Sequence, residues 1–82
     1  MPYLTKKRRE DVVSGTVADG LKAGDLNYLL TMDCLEYLSA NKECYQTYND
    51  IIGALESCKL EFYRRMVLPY ENKKARENGD VY

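Results

Sequence analysis

Histidine and tryptophan are absent from this chain, and it carries only two prolines, five glycines and three cysteines. Each shortage closes off a class of chemistry. Without histidine, the common Ser-His and Cys-His nucleophile–base pairs cannot form. No Ser-x-x-Lys or G-x-S-x-G pattern replaces them. The glycines never fall into G-x-G-x-x-G or a phosphate loop. Cys34, Cys44 and Cys58 are odd in number, lack C-x-x-C spacing and lie far apart, which argues against both a disulfide frame and a tetrahedral zinc site. No apolar run approaches the ~20 residues that cross a bilayer. The N-terminus leads through Tyr3 and Leu4 into Lys6-Lys7-Arg8-Arg9 without the apolar stretch of a secretion signal. The expectation is a non-enzymatic cytoplasmic protein with reduced thiols and no metal, cofactor or membrane span.

Charge of either sign is not in excess: 12 Lys and Arg face 13 Asp and Glu, a formal net of −1. Sequence-independent nucleic-acid binding draws its energy from many basic contacts to phosphate, so this balance argues against nucleic acid as the partner. A chain of 82 residues makes one domain, here 1–82, and a core of that size seldom suffices without a staple. With disulfides and metal set aside, oligomerisation is the staple that remains.

What is present is helical periodicity, and it predicts an all-α, three-helix domain. Thr5 is placed as an N-cap, and Val13, Val17 and Leu21 recur at four-residue steps, which predicts a first helix over about 5–22. Gly24 reads as a terminator and Asp25 as the next N-cap. Leu26, Leu29, Leu30, Cys34, Tyr37 and Leu38 share one face of a second helix over about 26–39. Thr47-Tyr48-Asn49-Asp50 resembles a capping box with Asp for Glu. Behind it Ile51, Leu55, Cys58, Phe62 and Met66 form the strongest stripe of the chain, a third helix over about 48–68. Pro69 must end or kink that helix, and 70–78 reads as a helical extension stopped at Asn78-Gly79.

Continued through Pro69, the third helix reaches about 45 Å, against roughly 20–27 Å for the other two. Its far part would lie beyond intramolecular cover, although Phe62, Tyr63, Met66, Val67, Leu68 and Tyr70 are apolar or aromatic. Exposed patches of this kind mark interfaces, most simply an isologous one between identical chains. The alternative is a chain that breaks at Pro69 and folds Val81 and Tyr82 back over the patch.

Binding is the chemistry that the remaining residues favour. The helical acids Asp33, Glu36, Asp50, Glu56 and Glu61 do not form the E-x-x-E sets with which helical pyrophosphohydrolases hold Mg²⁺. A helix-turn-helix reading fails because Thr47-Tyr48-Asn49-Asp50 offers no arginine or lysine to read bases. Eight tyrosines supply contact area with a polar tip. The candidate binding residues are Phe62, Tyr63, Arg64, Arg65, Met66, Tyr70, Glu71 and Tyr82. Arginine beside tyrosine can hold a phosphate while a ring stacks on a base, or Arg64 and Arg65 can pair with Glu61. A second candidate is the basic patch Lys6, Lys7, Arg8 and Arg9, which is either a contact to nucleic acid or to an acidic protein surface, or a solvated helix start.

Gly24-Asp25-Leu26-Asn27-Tyr28-Leu29, Asn49-Asp50-Ile51-Ile52-Gly53-Ala54-Leu55-Glu56, Glu61-Phe62-Tyr63-Arg64-Arg65, Pro69-Tyr70-Glu71 and Glu77-Asn78-Gly79-Asp80-Val81-Tyr82 together resemble a small uncharacterised family of short bacteriophage and bacterial proteins. The family carries no mechanism, so no residue role transfers. The resemblance implies an accessory protein, in the host cytoplasm if phage-encoded, that works by occupancy, binding a host protein or sequestering a small molecule. Joined to the aromatic overhang, the first expectation is a protein that self-associates and binds a protein partner, a host or defence factor. The other expectation is an oligomer that sequesters a nucleotide or nucleotide signal, a small phosphorylated ligand.

Overall fold

The computed structural model describes residues 3–82. They form helices and no strands, so the all-α expectation holds, as does that of a long third helix. The chain divides into two compact units, the first ending at Thr47 and the second running Tyr48–Tyr82.

In the first unit, α1 (Lys6–Ser14) packs against α2 (Ala23–Ala40). Thr5 caps α1, its hydroxyl accepting from the Arg8 N–H at 3.1 Å. The helix predicted to reach residue 22 stops after nine residues. Gly15 takes a left-handed conformation (φ +76°) that a side chain would resist, and both its N–H and that of Thr16 turn back to the Asp11 carbonyl. Two adjacent β-branched valines just before the glycine weaken any continuation. Val13 and Leu21 are consequently exposed, and Val12 is the one buried apolar side chain among the described residues, at 6% exposure.

The second helix also starts earlier than its sequence suggests. Gly24 sits inside its first turn, and Asp25 is its third residue and not its cap. There the Asp25 carboxylate accepts the Lys22 N–H at 2.8 Å, which is the acidic half of a capping box. At the other end the Asn41 amide donates to the Tyr37 carbonyl at 2.8 Å, covering one of the acceptors that a helix end leaves open. Thr47 likewise is no cap, because α3 (Tyr45–Phe62) begins two residues before it. Its buried hydroxyl donates back to the Lys42 carbonyl and lies 3.4 Å from the Cys44 sulfur. No disulfide joins Cys34, Cys44 and Cys58.

The second unit is built on one helix. From α3 the chain passes into a π-helical segment, Tyr63–Val67, and then into α4 (Leu68–Asn78). Pro69 therefore neither ends the helix nor breaks it at its own position. Proline cannot donate to the Arg65 carbonyl four residues back, and its ring presses on that carbonyl. The turn upstream widens instead, with the Leu68 N–H reaching the Tyr63 carbonyl five residues back. At ~1.5 Å per residue, Tyr48 to Asn78 spans about 45 Å. Gly79 ends the helix by donating to the Ala75 carbonyl at 2.9 Å. Val81 and Tyr82 beyond it are fully exposed, so the tail does not fold back over the aromatic patch.

Candidate interaction surface

The stretch Phe62–Glu71 was the sharpest candidate in the sequence, and the π segment lies at its centre. Phe62, Met66 and Tyr70 are each 60% exposed, and Tyr63 and Leu68 are also exposed. Among the described residues of this unit, no second element packs across the helix. The large apolar side chains of the third helix are thus laid out along a single rod with nothing from their own unit over them.

The polar groups of the stretch pair with one another. Arg64 donates to both Glu61 oxygens, at 3.0 and 2.8 Å, and the Arg65 Nε donates to Glu61 Oε1. Together Arg65 and Arg64 hold the Glu61 carboxyl below its ordinary range. Of the two arrangements open to these arginines, pairing with Glu61 is the one present. A phosphate arriving here would have to displace that carboxylate from both. The Tyr63 hydroxyl donates to Glu71 at 3.4 Å, and the Lys74 ammonium lies 5.6 Å from the centroid of the Tyr70 ring, within cation–π range. Tyr82 stands apart, its N–H donating to Asp80 at 2.8 Å.

The basic run Lys6–Arg9 divides, with Lys6, Lys7 and Arg9 exposed and Arg8 half-buried. Lys7 pairs with Asp11 one turn along α1, at 3.3 Å. Arg8 is drawn inward: its Nε donates to Asp25 Oδ1 at 2.9 Å and its Nη2 to Asp25 Oδ2 at 2.5 Å, a bidentate fork. The same guanidinium reaches Asp19 at 3.1 Å and the Gly20 carbonyl at 3.2 Å. Gly20 has φ +79°, which lets the loop present that carbonyl. Asp25, at 1% exposure, is the most buried residue described. The Arg8 guanidinium, then the Lys22 N–H, holds its carboxyl at about 2. Asp19 is lowered too, first by Arg8 and then by Lys22, and Arg8 is raised in return, chiefly by Asp25.

Lys6 and Arg9 remain on the surface, where Arg9 borders two shallow depressions against α2 and Lys6 one of them. One of about 170 Å³ is lined by Tyr3, Leu4, Arg9, Tyr28, Met32 and Leu35 among others. Lys6 and Arg9 edge the second, with Val13 and Tyr28. Sequence reasoning missed this surface, because Met32 falls off the main apolar stripe of α2 and Tyr28 looks like one more helical aromatic. The signal that could have found it is the surplus of apolar residues around α2, more than one buried face can use.

A family model described as a domain of unknown function, DUF6899, matches residues 1–81. The chain belongs to this family. No curated protein and no solved structure matches it. Among the described residues no set of three Cys, Asp or Glu side chains could hold a metal ion, and no described helix is long and apolar enough to cross a membrane.

Proposed function

We propose that this DUF6899 protein is a non-enzymatic, self-associating protein whose long third helix supplies the subunit interface, and which acts by binding a protein partner. The observation that carries this reading is the face of Phe62, Met66 and Tyr70, each 60% exposed on a helix with no cover in its own unit. Soluble monomers seldom leave such a surface in water, and tyrosine, phenylalanine, methionine and arginine are the residues enriched in interface cores. The depression between α1 and α2, with Tyr28, Met32, Leu35 and Arg9, has the same composition and is the surface assigned to the partner. The partner that the family resemblance implies is a host or defence protein.

The nucleotide-sequestering alternative draws less support, because Glu61 already occupies both Arg64 and Arg65. Native mass spectrometry of the purified protein separates the two. An oligomer without retained small molecules is expected. A strict monomer at tens of micromolar overturns the reading, and a co-purifying phosphorylated molecule transfers it to the alternative.

A further inference from the structure

The long helix carries two patterns that bear on how two copies would meet. The first is its apolar seam. Tyr48, Ile51, Leu55, Cys58 and Phe62 follow steps of three, four, three and four residues, the spacing of a seam facing one partner helix. Continued unchanged, the pattern would place Arg65 and Pro69 on the seam. The π segment Tyr63–Val67 acts as one inserted residue. It shifts the register by one and brings Met66 and Tyr70 into line instead. The distortion at Pro69 thus preserves a continuous apolar face across the point where the helix would otherwise lose it.

The second pattern is charge. From Tyr48 to Glu61 the helix has three acids, Asp50, Glu56 and Glu61, against one base, Lys59, a net of −2. From Phe62 to Asn78 it has five bases, Arg64, Arg65, Lys73, Lys74 and Arg76, against Glu71 and Glu77, a net of +3. A parallel pair sets like halves together. An antiparallel pair sets each acidic half on a basic half and also opposes the two helix dipoles.

Resting on the self-association proposed above, we infer that the partner of this face is a second copy of the same chain, running antiparallel, with the two-fold axis at the π segment. Phe62 of one copy lies against Met66 of the other, and Cys58 against Tyr70. Asp50 and Glu56 come level with Arg76, Lys73 and Lys74 of the second copy. Arg64 approaches its own image at the axis, where Glu61, bonded at 2.8 Å, offsets the repulsion.

The test needs only the wild-type chain. A zero-length carbodiimide cross-linker followed by peptide mapping is expected to join Glu56 to Lys73 or Lys74. These sites lie roughly 25 Å apart along one helix, so the link can form only between copies. The two Cys58 thiols, about 18 Å apart along the antiparallel pair, lie beyond the ~7 Å limit between Cα atoms of a disulfide. Mild oxidation should therefore leave Cys58 unlinked to its image. A Cys58–Cys58 disulfide in a protein that light scattering shows to be dimeric overturns the orientation and leaves self-association standing. A dimer without the Glu56–Lys73 or Glu56–Lys74 link overturns the seam. A strict monomer overturns both readings. Loss of the link in Phe62→Asp, with helical circular dichroism kept, supports the assignment.

Discussion

The two units of this molecule solve the stability problem in opposite ways. The first ties a nine-residue helix to α2 through a buried acid, Asp25, on which a bidentate arginine and a backbone N–H converge, and buries one valine, Val12, on α1. The second has no such tie. It is a long helix with its apolar residues outward and its charges paired locally, at Glu56–Lys59, Glu61–Arg64, Glu61–Arg65 and Glu77–Lys74. Exposed pairs of this sort contribute about 0–1 kcal/mol each, and helices in proteins owe most of their stability to packing of an apolar face, which this one lacks within its own unit. The contrast teaches that the first unit has one internal tie between two helices, although much of α2, Leu26, Met32 and Leu35 included, stays exposed, and that the second has no tie within itself.

The largest expected effect tests the second unit. Phe62→Asp places a charge at the centre of the seam and should weaken self-association about 30- to 700-fold, the roughly 2–4 kcal/mol of an interface hot spot. Sedimentation or light scattering over a dilution series reads it. An unchanged oligomer would show that the seam is not the interface. The matching cut in the first unit is Val12→Ala, which removes the only buried apolar side chain described there. It should lower stability by about 2 kcal/mol, from ~0.8 kcal/mol per buried methylene plus a cavity cost, as measured by urea denaturation. It should leave self-association unchanged, and a parallel loss of both would erase the distinction between the units.

Much of this contrast was legible in the sequence, and what was not has a physical reason. The three helices and the length of the third follow from periodicity, because Ile51, Leu55, Cys58, Phe62 and Met66 repeat at helical spacing regardless of what covers them. The aromatic overhang was legible for the same reason. The end of α1 was misread because Val13, Val17 and Leu21 keep a four-residue rhythm past Gly15, and the left-handed turn there outweighs the rhythm. Asp25 was misread because a helix-start acid looks alike at the cap and at the third position. Only tertiary structure supplies Arg8, seventeen residues away, to decide between them. The π segment has one local cause, Pro69, yet the sequence does not say whether a proline breaks, kinks or widens a helix.

Pro69→Ala carries the next largest effect and splits in sign. Restoring the backbone donor and removing the ring should let Tyr63–Val67 relax to ordinary α-helix, stabilising the isolated helix by about 1 kcal/mol. That is less than the ~3 kcal/mol of a proline in an unrelieved helix, because the π turn has already removed part of the clash. Relaxation also moves Met66 and Tyr70 out of line with Phe62, so self-association should weaken while helical circular dichroism rises. If both quantities rise together, the π segment merely accommodates the proline and sets no register.

The acid titration of Asp25 is silent at neutral pH and is the most selective between the units. The folded Asp25 carboxyl titrates at about 2, against an ordinary 3.8. A group lowered in this way adds stability that is complete above the unfolded value and is lost as pH falls through the folded one. Packing of α1 on α2 should therefore stay flat from pH 7 to 5 and weaken between about 4 and 2. Faster amide exchange at Val12 would report it, and Asp25→Asn should abolish the transition by leaving α1 loose at every pH. In the second unit Glu61 is lowered by Arg65 and Arg64 in the same direction. Its pair is about half exposed, so the exchange of the Leu55–Phe62 amides should change little over the same range. Equal acid sensitivity in both units would mean that the Arg8–Asp25 fork ties the first unit no more firmly than a surface pair does.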